Sequence, residues 1–109
     1  MELDEMQNWL TKFAYKNGWM TKSGIEDVLF LCEEAGEVAR EVRRHEMGRH
    51  SHSKSEIMNE EQMRLKLAEE IGDVLQVLSV ISSKYNITLE EAFEIHKEKV
   101  SKAYGENNL

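Results

Sequence analysis

Two short acidic motifs carry the chemical potential of this sequence: Glu34-Ala35-Gly36-Glu37 and Glu70-Ile71-Gly72-Asp73. Each places two carboxylates three residues apart around a glycine, inside an apolar repeat of helical period. Residues at i,i+3 are neighbours on one helix face. If the two motifs face one another, four negative charges crowd together, and without compensation their pKa values rise. A hard divalent cation resolves that conflict. Oxygen-only ligation suits Mg²⁺, with Mn²⁺ as the alternative, and the absence of histidine from the four disfavours zinc. Mg²⁺ also keeps coordination positions for water and substrate phosphates.

The elements that must position these acids are helices. The first spans about Leu3 to Asn17, with Leu3, Met6, Leu10, Phe13 and Ala14 at helical spacing and Gly18 as its C-terminal cap. Ser23 with Glu26 reads as a capping box opening a second helix to about Met47. The serine- and histidine-rich stretch at about 48–58 reads as a polar loop, with His45, His50 and His52 as solvated residues. Asn59 with Gln62 caps a third helix to about Tyr85. Thr88 with Glu91 caps a fourth to about Tyr104, followed by a frayed tail.

On the third helix, Leu67, Ile71, Val74, Leu78 and Ile81 make an apolar stripe, with Glu70 inside its arc and Asp73 at its edge. On the second, the stripe is Val28, Leu31, Cys32, Ala35, Val38, Ala39 and Val42, with Glu34 and Glu37 at its border. Cys32 is expected in the core. Gly36 and Gly72 each cost about 1 kcal/mol of helix propensity against alanine, which suggests close approach of another backbone or a ligand.

Composition bounds the function. A chain of 109 residues with no proline and six scattered glycines suits one all-α domain, 1–109, whose small core would gain from a partner subunit. The net charge of −7 disfavours a nucleic-acid polymer or an anionic membrane as partner. A phosphate-bearing ligand then needs a bridging cation. The single Cys32 excludes an intrachain disulfide and fits a reducing cytoplasm. The N-terminal residues show neither the basic flank nor the apolar run of a signal peptide or membrane span. A di-iron carboxylate bundle needs Glu-x-x-His pairs, whereas Glu41 with His45 and Glu46 with His50 are separated by three residues. Trp9 and Trp19 read first as core or interface residues, with stacking on a base as the functional alternative.

The two motifs, the apolar run before them and the last-helix sequence NITLEEAFEIHKEKV together resemble the MazG-like, all-α nucleoside triphosphate pyrophosphohydrolases. The resemblance covers roughly Trp9 to Lys102. It implies a four-helix, bundle-like fold that assembles as a homodimer or homotetramer. It further implies Mg²⁺ held by Glu34, Glu37, Glu70 and Asp73, and Glu33 helping to activate water. The expected reaction converts a (deoxy)nucleoside triphosphate to its monophosphate and pyrophosphate. The family's last helix surrounds the phosphates with basic groups, which points to Lys97, Lys99 and Lys102, with Arg40 as a further cation. Two departures stand out: the connection between the motifs is long, and no asparagine accompanies the lysines of the last helix. Phosphoribosyl-ATP pyrophosphohydrolysis and a non-catalytic helical interaction module are the alternative readings.

Overall fold

The computed structural model describes residues 1–47 and 58–105. Among the described residues the chain forms α1 (Leu3–Lys16), a 3-10 turn (Trp19–Thr21), α2 (Gly24–Met47), α3 (Glu60–Lys84) and α4 (Leu89–Tyr104), and no strand. The all-α expectation holds, and the helix ends fall close to where the caps place them. The Ser23 amide donates to Glu26 Oε1 at 3.3 Å, while the Glu26 amide donates to Ser23 Oγ at 3.2 Å. Asn59 and Gln62 make the same reciprocal pair at 2.9 and 2.8 Å. Thr88 Oγ1 accepts from the Glu91 amide at 3.0 Å. Each contact satisfies an amide that a helix start leaves without a partner. Gly18 ends α1 in the left-handed region at φ 74°, a conformation that glycine adopts without a Cβ penalty. The expected polar loop lies outside the described residues except for Met58, and so does the tail beyond Gly105.

The chain divides into two compact units, Met1–Lys22 with Ser79–Leu109, and Ser23–Leu78. The first contains both apolar residues that are buried among the described residues, Ala14 and Val80. Its organising polar residue is the buried Gln7. Gln7 Nε2 donates to Ser83 Oγ at 3.2 Å and to the Ile87 carbonyl at 3.1 Å, and Gln7 Oε1 accepts from the Leu89 amide at 2.7 Å. The start of α4 is thereby tied to the middle of α1. Beside it, Phe13 stacks on Trp9 and meets Trp19 edge-on, each pair with centroids 5.4 Å apart. Trp9 is 62% exposed, and Trp19 stands at 37%. These tryptophans are a surface cluster rather than core.

The second unit pairs α2 with the Glu60–Leu78 stretch of α3, and its faces are sorted differently from the expectation. Val28, Val42, Ile71 and Leu78 are exposed, as is Cys32, so neither stripe is closed by the described residues. The buried positions are Asp27, Glu41 and Glu70. Asp27, Glu34 and Glu41 recur every seven residues, close to two helical turns, and so share one face of α2. On that face Glu41 is ion-paired with Arg44 at 3.2 Å, while Val28 and Val42 of the apolar stripe are exposed among the described residues. A Cβ built at Gly36 or Gly72 would meet nothing within 4 Å. The expected close approach of backbone to these glycines is therefore absent among the described residues. No described helix is long and apolar enough to cross a membrane.

Candidate metal centre

The cap at Ser23 and the unbroken run of α2 carry Glu34 to the same place as Glu70 and Asp73 of α3. One carboxylate oxygen from each of these three lies within 4.8 Å of the others. Glu70 is buried, Glu34 half-buried and Asp73 exposed, so the group is closed at one side and open at the other. Burial is the first cause of a raised Glu34 pKa, followed by the charges of Asp73, Glu70, Glu33 and Glu37. Burial likewise leads in raising Asp73, with the charge and hydrogen bond of Glu70 adding to it. The Lys66 charge and a hydrogen bond with Glu34 pull Asp73 the other way. Three full negative charges are thus disfavoured at this spacing, and protons or a cation relieve them. The all-oxygen donor set fits a hard divalent ion.

Glu37, the fourth acid of the motifs, stands apart from this trio. Its carboxylate is paired with the Arg40 guanidinium one turn along α2. Arg40 Nε also lies 3.6 Å from Oε1 of the fully buried Glu41, which Arg44 Nη1 approaches at 3.2 Å. Glu37 still acts on Glu34 through its charge. Glu33 is exposed beside Glu34 and acts on it in the same way. The remaining sequence candidates belong to the other unit. Lys97 pairs with Glu94 at 3.8 Å and Lys102 with Glu98 at 3.0 Å, both within α4, while Lys99 is exposed. Trp9 and Trp19 join Phe13.

Sequence reasoning missed Lys66, whose Nζ lies 3.2 Å from Glu70 Oε1, and the Glu41–Arg44 pair. The signals were present. Lys66 precedes Glu70 by one helical turn, and Glu41 repeats the face of Glu34 two turns on.

The MazG nucleotide pyrophosphohydrolase domain matches residues 25–104, a span that contains both acidic motifs. The chain is similar to the uncharacterised protein YvdC of Bacillus subtilis (strain 168), at 36% identity over 104 residues, covering 95% of this chain and 97% of the relative. No solved structure matches the chain significantly. The all-α architecture, the paired acidic motifs and a domain match over most of its length establish that this chain belongs to the MazG nucleotide pyrophosphohydrolase family.

Proposed function

We propose that the chain is a Mg²⁺-dependent nucleotide pyrophosphohydrolase that converts a (deoxy)nucleoside triphosphate to its monophosphate and pyrophosphate. The observation that carries this reading is the convergence of Glu34, Glu70 and Asp73 from two helices within 4.8 Å. Glu34, Glu70 and Asp73 would hold the ion, and Glu37 would join them by releasing Arg40. A bound divalent cation supplies charge neutralisation at the α-phosphate and at the leaving pyrophosphate.

The chain's own groups do the rest. Glu33 orients the attacking water and accepts its proton as the water oxygen bonds to the α-phosphorus. The bond from that phosphorus to the bridging oxygen breaks, and pyrophosphate leaves with the electron pair. Arg40, once free of Glu37, neutralises phosphate charge. Lys97, Lys99 and Lys102 of α4 are the cations that the family resemblance offers for phosphate; Lys97 is paired with Glu94 and Lys102 with Glu98. Trp9 and Trp19 offer exposed rings on which a base can stack. The lone cysteine and the acidic balance fit action in the cytoplasm on a free nucleotide, with neither a nucleic-acid polymer nor a membrane as partner.

The test is pyrophosphate release from a panel of natural and damaged nucleotides, with phosphoribosyl-ATP included, with and without Mg²⁺. Metal-dependent release that Glu70→Gln abolishes supports the reading. Absence of release from every triphosphate, with no Mg²⁺ binding by calorimetry, refutes it in favour of a non-catalytic helical module.

A further inference from the structure

Each acidic helix of the second unit carries a cation engaged with one of the motif acids. On α3, Lys66 Nζ sits 3.2 Å from Oε1 of the buried Glu70 and 3.4 Å from Oε2 of Glu69. On α2, Arg40 holds Glu37. The Lys66 contact matters more, because Glu70 is the buried member of the trio and its carboxylate is where a metal ion would be most enclosed.

We propose that Lys66 is an exchangeable internal counter-ion of the metal site. In the metal-free chain its ammonium occupies the electrostatic place of the cation on Glu70. When a divalent ion takes Glu70, the ammonium leaves that carboxylate and turns to the anionic phosphates of the nucleotide.

The chemistry follows from charge and reach. The trio with Lys66 carries a formal charge of −2, from three carboxylates and one ammonium. A divalent ion brings the total of these four groups to zero before Glu37 and the nucleotide add their own negative charge, so an ammonium that stays close remains favoured. It cannot remain on Glu70, however, since one oxygen pair cannot serve both cations at full strength. A lysine suits such an exchange: its ammonium is a compact point charge on a flexible four-carbon stem, without the fixed fork by which arginine grips a carboxylate. The Lys66 side chain is partly exposed, and its nearest charged surroundings apart from Glu70 are Glu69 and Asp73. A triphosphate held at the trio would be the strongest anion within its range. The same exchange explains how Glu70 stays buried in a chain that has not yet met metal: a buried carboxylate without a partner is costly.

This inference rests on the proposed metal site, and the experiment separates the two. Mn²⁺ affinity is measured by calorimetry on the full chain without nucleotide. Affinity for a non-hydrolysable α,β-methylene triphosphate is then measured at saturating Mg²⁺. Lys66→Met removes the competing charge and should tighten Mn²⁺ about tenfold, the size of repulsion between unit and divalent charges a few ångströms apart in water. It should also weaken the triphosphate analogue by a similar factor. Lys66→Arg preserves the ion pair, so it guards against a Met variant that fails to fold. Its firmer hold on Glu70 should weaken Mn²⁺ severalfold while the analogue still binds. Wild-type Mn²⁺ affinity in both variants, or unchanged analogue binding in Lys66→Met, overturns the inference and leaves the metal site standing. If the wild-type chain binds no Mn²⁺, the metal site and this inference fall together.

Discussion

The carboxylates of Glu34 and Asp73, carried by different helices, come within 4.8 Å of one another, and both groups hold their protons to higher pH than usual. For an acid with a raised folded pKa, the folded state binds more protons than the unfolded state within the shifted window. The contribution of these two groups to stability is therefore fully present below the ordinary values of 3.8 for Asp73 and 4.5 for Glu34, and is lost as pH rises through the raised values. Urea unfolding of the metal-free chain across this range should show that fall, and Glu34→Gln should lose its Glu34 share. A stability difference between the two proteins that does not vary with pH would contradict the coupling. Saturating Mg²⁺ should flatten the slope in the wild-type chain.

Glu70→Gln keeps the shape of the buried side chain and removes its charge. We expect at least ~10²-fold loss in kcat/KM, since metal charge stabilisation is worth several kcal/mol. Metal-free stability should change by less than about 1 kcal/mol, because relief of crowding with Glu34 and Asp73 offsets loss of the Lys66 pair. Mg²⁺ should raise the wild-type melting temperature and leave the variant nearly unmoved. Glu61→Gln is the matched control, because Glu61 is exposed and pairs with Arg64 one turn along α3, at 2.8 Å. Equal activity in the two variants would remove Glu70 from the site.

Much of this arrangement is legible in the sequence because the signals are local. Ser23 with Glu26, Asn59 with Gln62 and Thr88 with Glu91 each fix a helix start within four residues, which is why the boundaries follow from spacing alone. Glu70 was also readable, since its direction falls within the apolar arc of α3. The side chains that pair with the acids were harder to foresee. Whether Glu37 joins the trio or turns to Arg40 depends on a rotamer choice between two partners on one face, and periodicity does not encode that choice. Burial of Cys32 and Val28 was misjudged for a different reason. An apolar stripe shows that a face is meant to be covered, without showing whether the same chain covers it.

The exposed apolar side chains lead to a prediction about mass. Ile25 and Leu29 on α2 are 77% and 65% exposed, alongside Val28, Phe30, Ile71, Leu75 and Leu78 in the same unit. Monomeric proteins rarely leave such faces open, and a symmetric copy of the same chain is the commonest cover. Light scattering at micromolar concentration should give a dimer or a dimer of dimers. A monomer mass of 12.7 kDa would refute this.

Glycine substitutions should divide by backbone geometry. Gly18→Ala forces an L side chain into φ 74° and should cost about 1 kcal/mol. Gly72→Ala places a Cβ in open space within a helix and should gain about 1 kcal/mol from propensity. Thermal melts of the metal-free proteins measure both. A melting temperature lowered in Gly72→Ala would show that another molecule comes close to α3 at that glycine.

Cys32 gives the chain a native reporter. It is the sole thiol, it is exposed on α2, and it lies two positions before Glu34 on the stripe left open beside the acids. Its alkylation rate, followed against protein concentration, reads out how often that stripe is covered.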